Sequence, residues 1–226
     1  MNVTEMLAEL ESLGKEQTRK TYRRHGGRDP MFGVSYADFY RLKKKIKTDH
    51  DLALGLWESG NLDARVFALM IADPTTVTEK QINAWIKDVD NYGFAQAVGG
   101  FVAKTPMAMK YFEKWIESKN EWTAAAGWVI LGHLTADEEL PDPLFEEYID
   151  RIVREIHGAQ NRVRYEMNGA LIAIGTRSAG LMKQALAAAK KIGTVEVDHG
   201  DTSCKTPDAA EYIMKTVEHR NKKEKV

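Results

Sequence analysis

Cysteine is nearly absent from this 226-residue chain: Cys204 stands alone and cannot close an internal disulfide. The opening MNVTEMLAELESLGKEQTRK alternates apolar and charged residues where a secretory signal needs an unbroken apolar stretch. A reducing cytoplasm is therefore the expected compartment. No run approaches the roughly 18 apolar residues of a membrane span, and VILGHL and GALIAIG are short pieces of amphipathic surroundings. A general excess of one charge is lacking too. The 32 Lys and Arg against 33 Asp and Glu exclude a histone-like coat protein. Strand signals are almost missing: residues 193–197, GTVEV, alternate correctly but have no second run to pair with.

What is present is a composition of 43% hydrophobic and 29% charged residues, enough for a sizeable core in one domain or one extended array. The net charge of −1 also conceals an arrangement. Residues 19–47 hold ten Lys and Arg and two acids, a local balance of +8, so the remainder carries −9. Residues 136–150, ADEELPDPLFEEYID, have seven acids and no base, and residues 215–226 have five bases and two acids. Such runs are either solvated helix faces or a phosphate-binding strip, and their placement in the fold decides between the two.

Helix punctuation is legible. Thr105-Pro106, Asp142-Pro143 and Thr206-Pro207 each offer a side-chain cap followed by a proline at the first helical position. Thr78 and Gln81 form the pattern of a capping box. These signals predict helices near 2–14, 36–48, 50–59, 61–72, 78–88, 91–104, 106–118, 120–134, 142–157, 160–175, 178–191 and 206–220, an all-α class. Three stretches share one grammar: LWESGNLDARVFALMIA from Leu56, KWIESKNEWTAAAGWVILG from Lys114 and EIHGAQNRVRYEMNGALIAIG from Glu155. Each has an apolar helix end, a short polar turn and an Asn, at 61, 120 and 161, placed to cap the next helix. The small residues Ala124, Ala125, Ala126 and Gly127 suit close helix contact. Helix pairs recurring at about 30–45 residues predict a curved solenoid of HEAT-like antiparallel hairpins, because one hairpin cannot bury its own apolar face. The expected organisation is a single domain over 1–226: basic helices to residue 48, repeats over about 50–192, a loop and capping helix over 193–220, and a basic tail at 221–226.

A curved array offers a groove, and helix N-termini facing it suit phosphate. Arg162 and Arg164 fall in the first turn of a helix, where a cation is disfavoured unless an anion compensates. They are either a phosphate clamp or partners of the acidic segment. Trp57, Trp85 and Trp115 lie on apolar stripes and are expected in the core, whereas Trp122, just after the Asn120 cap, is placed to face a groove. The basic run supplies Arg24, Lys43 and Lys44 as phosphate contacts, with His25 beside them. Tyr165, Asn168 and Lys205 complete the expected DNA-binding set. Asp198, His199, Asp201 and Cys204 sit within seven residues and are candidates for a metal, or for a hydrolase or redox site built on Asp198, His199 and Cys204, but their spacing matches no strong metal signature. A loop capping the last repeat is the alternative.

Residues 22–26, YRRHG, then 30–34, PMFGV, followed by a basic helix, resemble the opening of the HEAT-like bacterial DNA alkylation repair glycosylases. The similarity continues through LWESGNLDARVFALMIADP and KWIESKNEW, covering about residues 22–168. The resemblance implies a C-shaped solenoid that grips duplex DNA by its backbone and hydrolyses the N-glycosidic bond of N3- or N7-alkylpurines, with no cofactor. It also implies a Trp and, four residues later, an Asp in the helix after the central hairpin turn. Here those places fall on Tyr92 and Gln96, and Gln cannot supply the negative charge that stabilises an oxocarbenium-like sugar. The Arg and the later groove Trp of the family fall on Ala125 and Ala170. Either Asp88 or Asp90 takes the carboxylate role, or this branch binds nucleic acid or protein without excision.

Overall fold

The computed structural model describes residues 1–223; the last three residues of the expected basic tail lie outside the described residues. Among the described residues there is no strand, and residues 193–197 are irregular. No helix is long and apolar enough to cross a membrane. The described residues fall into two compact units, Met1–Pro106 with Gly200–Thr202, and Met107–His199 with the residues from Ser203 onward.

The first unit holds α1 (Val3–Leu13), α2 (Glu16–Arg24), α3 (Tyr36–Ile46), α4 (His50–Glu58), α5 (Leu62–Ile71), α6 (Glu79–Trp85) and α7 (Tyr92–Val102). Helices α4 and α5 form a hairpin, and α3 and α7 each pack on α5. Asn61 caps α5 through the main-chain N–H groups of Asp63 and Ala64, and Thr78 and Gln81 make the expected capping box. The core is aromatic: Trp57 stacks on Trp85 at 4.6 Å and on Phe94 at 5.4 Å between ring centres. Trp57 and Trp85 are buried as expected.

Helix α2 is absent from the expected list, for a physical reason. It buries no residue, and Lys15, at the N-cap, provides no side-chain cap. Tertiary bonds hold it instead: the Lys15 N–H donates to the Gly33 carbonyl, and the Tyr22 hydroxyl donates to the Val34 carbonyl.

The second unit holds α8 (Ala108–Ile116), α9 (Glu121–Leu134), α10 (Asp142–Glu155), α11 (Asn161–Gly175), α12 (Ala179–Ile192) and α13 (Ala209–Lys223). Helix α9 packs on α8 and on α11, and α11 packs on α13, while α10 packs on α12. This is the two-row hairpin stacking of HEAT-like repeats. Trp115 is buried as expected. Asn120 caps α9 through the Thr123 N–H.

Three expected caps are used otherwise. The Thr105 hydroxyl donates back to the Val102 carbonyl, and α8 starts later, at Ala108. Asp142 opens α10, but its carboxylate accepts from Arg177 at 3.0 Å and Ser178 at 2.6 Å. Thr206 is replaced as a cap by Asp208, whose carboxylate accepts the Glu211 N–H. Asn161 differs from Asn61 and Asn120 as well: its amide exchanges two hydrogen bonds with the main chain of Asp198, at 2.8 and 2.7 Å. The segment after α12 is thereby tied to the start of α11.

The α8–α9 contact depends on a missing side chain. A Cβ at Gly127 would come within 2.7 Å of the Ile116 main-chain nitrogen, whereas at Gly158 it would meet nothing within 4 Å. Gly127→Ala is expected to destabilise the protein by about 1–3 kcal/mol through overpacking, and Gly158→Ala to be near neutral, as read from denaturant midpoints.

Candidate nucleic-acid interface

The first unit carries its candidate surface on α2, α3 and the loop between them. That loop is fixed by Asp63, in the first turn of α5. Its side chain is only 1% exposed. One carboxylate oxygen accepts the N–H groups of Phe32 (2.7 Å) and Gly33 (3.0 Å), and the other accepts that of Val34 (2.7 Å). Three aligned donors satisfy a buried anion that would otherwise be costly. Gly33, at φ 82°, is needed for the turn, because a Cβ there would meet the Lys15 carbonyl oxygen and the Arg19 nitrogen at 2.6 and 2.8 Å. Burial, then the charge of Asp63 and then Tyr36, push the Tyr22 phenol above its ordinary range, so it stays protonated and donates to Val34.

This scaffold leaves a cavity of about 280 Å³, with Tyr22, His25, Tyr36, Phe39, Tyr92 and Phe94 among its walls and Asp63 beside them. His25 and Tyr92 meet through the imidazole Nδ1 and the phenol oxygen, with their rings edge to face. Outside the cavity, Arg24 and Lys44 are exposed and Lys43 is half-buried. The ion pairs of this segment, among the described residues, are Arg19 and Arg23 with Glu16, Arg23 with Asp29, Arg28 with Asp90, and Arg41 with Asp38. Arg24, Lys43 and Lys44 take part in none of these. Two further exposed aromatics, Tyr36 and Tyr40, are 50% and 57% exposed on α3. They were not among the sequence-predicted contacts, although their i, i+4 spacing on one side of α3, next to the buried Phe39, is a readable signal.

The four candidate catalytic residues differ in availability. Asp88 accepts from the Trp57 indole N–H at 2.8 Å and from Arg65 at 3.0 Å. Arg65 also lies 5.4 Å from the Trp57 ring centre and donates to the Trp57 carbonyl. Asp88 is thus part of the tryptophan cluster. Asp90 pairs with Arg28 at 3.4 Å and accepts from the Asn91 amide at 2.9 Å. Tyr92 opens α7 and lines the cavity, and Gln96, one turn further along the same helix, is half-buried.

In the second unit Arg162 and Arg164 turn inward. Arg164 donates to four main-chain carbonyls, those of Ile156, His157, Ala159 and Glu196, at 2.8 to 3.2 Å. Its cation therefore answers carbonyl dipoles and not the acidic segment. The Arg162 side chain is buried, and its main-chain N–H donates to Glu121. Asn168 is buried and donates to the Pro207 carbonyl, while Tyr165 meets His199 edge to face. Trp122 is half-buried and Lys205 exposed. Among the described residues no three His, Cys, Asp or Glu side chains are placed to hold a metal. His199 meets the Thr206 hydroxyl at 3.0 Å, and Cys204, Asp198 and Asp201 are exposed. Burial of the imidazole and the charge of Arg162 hold the His199 pKa below the ordinary range, while Asp198 acts to raise it.

Truncating the buried anchor leaves three donors unpaired. Asp63→Ala is expected to cost about 3–5 kcal/mol, measured by denaturant unfolding. Arg164→Ala is expected to lower the melting temperature by several degrees, and Arg24→Ala to leave it unchanged, by calorimetry.

Comparison with known proteins supports a repair lineage. The model of a family described as DNA alkylation repair enzyme matches residues 6–213. A Listeria innocua relative, Uncharacterized protein Lin0241, is 34% identical over 219 residues, covering 92% of this chain and 93% of its own. Uncharacterized protein Lmo0209 of Listeria monocytogenes is 32% identical with the same coverage. A solved structure, described as representing a new family of proteins related to the HEAT-like repeat DNA glycosylases with affinity for branched DNA structures, is similar with a TM-score of 0.89. It is 29% identical, covering 97% of this chain and 95% of that one. With a match spanning nearly the whole sequence and a hairpin architecture to go with it, the chain belongs to the DNA alkylation repair enzyme family.

Proposed function

We propose that this protein binds DNA through the phosphate backbone, using the basic α2–α3 segment, and does not excise bases by a carboxylate mechanism. One observation carries the second half of this reading: Asp88 is engaged by Trp57 and Arg65, and the place where the family resemblance calls for a carboxylate is Gln96. A neutral amide cannot stabilise a cationic sugar, so the fold would retain the grip and lose the cleavage. Exposed Arg24 and Lys44, with Lys43 beside them, favour the first half, since cations outside the segment's intramolecular pairs are the ones that release DNA counterions. The affinity of the solved relative's family for branched DNA structures brings branched forms into consideration here.

In fluorescence anisotropy, linear duplex and four-way-junction DNA should both bind, with affinity falling steeply between about 50 and 200 mM salt. Combined Arg24→Ala and Lys44→Ala should weaken both about tenfold and reduce the salt slope by about two. Methylated duplex should show no base release above the background of buffer. Release that disappears in Asp90→Asn would overturn the non-excising reading, and absence of binding to either DNA would overturn the binding reading.

A further inference from the structure

The cavity beside α2 lies outside the phosphate grip, and the outer face of α3 carries, next to the Lys43 and Lys44 of that grip, two aromatic rings that the grip does not use. Tyr36 belongs to both: it lines the cavity and is half exposed. Tyr40 follows one turn later, Lys43 and Lys44 one turn after that, so positions i, i+4, i+7 and i+8 share a helix face. The two phenols are near enough for Tyr40 to act on Tyr36, whose pKa is raised by burial, then by Tyr40 and then by Asp63. Tyr36 is braced from below by the buried Phe39 ring, edge to face at 5.8 Å. Exposed aromatic rings in line with lysines on one helix are the two components of a single-strand platform: π-faces for bases and cations for phosphates.

Resting on the DNA-binding reading above, we infer that α3 holds a short unpaired segment of DNA, with bases stacked on Tyr36 and Tyr40, phosphates on Lys43 and Lys44, and one base in the cavity. The cavity favours a base that belongs to a strand over a free nucleotide, because no Lys or Arg among the described residues lines it. At about 280 Å³ it stands at the lower limit of ligand pockets, roughly 300 Å³, which suits one heterocycle. From Tyr36 to Lys44 the helix advances about 12 Å, the length of three to four nucleotides stacked at about 3.4 Å. The walls are mostly apolar and include several aromatic rings, so recognition is chiefly by stacking and tolerates different bases. Unpaired nucleotides occur at strand junctions, bulges and gaps, and a protein built this way would distinguish such sites from continuous duplex.

The test uses the full chain and two DNAs: a duplex with a 2-aminopurine in a two-nucleotide bulge, and the matched continuous duplex with the same fluorophore paired. The wild-type protein is expected to bind the bulged DNA at least about tenfold more tightly, a ratio in the range that stacking of one or two bases supplies. The fluorescence of the bulged 2-aminopurine should change on binding. Tyr36→Ala with Tyr40→Ala should reduce the preference to below about threefold and remove the fluorescence change, with affinity for continuous duplex within about twofold of wild type. Tyr36→Phe, which keeps the ring, should retain both. Tyr40→Ala alone lies outside the cavity and should lose part of the preference without loss of thermal stability. Equal binding of the two DNAs by the wild-type protein, or an undiminished preference in the double variant, would overturn the inference while leaving DNA binding intact. Binding of neither DNA would remove the DNA-binding reading itself and this inference with it.

Discussion

The Asp63 carboxylate, buried in the first turn of α5 and accepting the N–H groups of three consecutive residues, is the constraint on which the candidate interface of the first unit depends. The loop runs from a charged helix that buries no residue, so its own hold is limited to the buried Met31 and Val34 side chains. Anchoring it at 32–34 fixes the Val34 carbonyl for Tyr22, the Gly33 carbonyl for Lys15, and the Ser35 cap from which α3 begins. The cavity is a consequence. Its walls come from α2, α3, α5 and α7, with the aromatic rings on or beside α2, α3 and α7, and they keep their spacing because the loop between α2 and α3 is tied to α5.

Charge is divided between structural and solvent-facing duty, and the division does not follow composition. Arg164 and Arg177 have much of their hydrogen-bonding capacity satisfied by main-chain carbonyls, and Arg177 also meets Asp142. Arginine suits this work because its planar fork reaches several carbonyls at once. The lysines of α3 extend from a helix whose apolar side, Phe39 and Leu42, is already buried. In the proposed reading, a grip on the backbone needs exposed cations and a fixed scaffold, whereas excision would need a carboxylate at the place that the family resemblance assigns to Gln96.

Much of the fold was legible in the residues. Period and caps specified α5, α6 and α9 closely, because Asn61, Thr78 and Asn120 act on neighbours two or three positions away. Helix α2 was not legible: no cap or apolar stripe announces it, and its supports come from residues 33 and 34. Asn161 shows the same limit, since whether an Asn caps its own helix or binds Asp198 depends on where a segment 37 residues later passes. The site was only partly readable. Arg24, Lys43 and Lys44 stood out as charge, and Tyr92 through the family resemblance. Nothing in the sequence sets Asp63 apart from other first-turn acids, and the i, i+4 spacing of Tyr36 and Tyr40 marks a shared face of α3 without fixing that it is exposed.

The central claim is that the α2–α3 segment is the DNA-binding surface, and hydrogen exchange by mass spectrometry tests it most directly. With saturating bulged DNA, amides over residues 16–47 are predicted to gain protection, most strongly around Tyr36 and Tyr40, relative to the free protein. Protection confined to residues 161–168 and 193–207, with none over 16–47, would contradict the account.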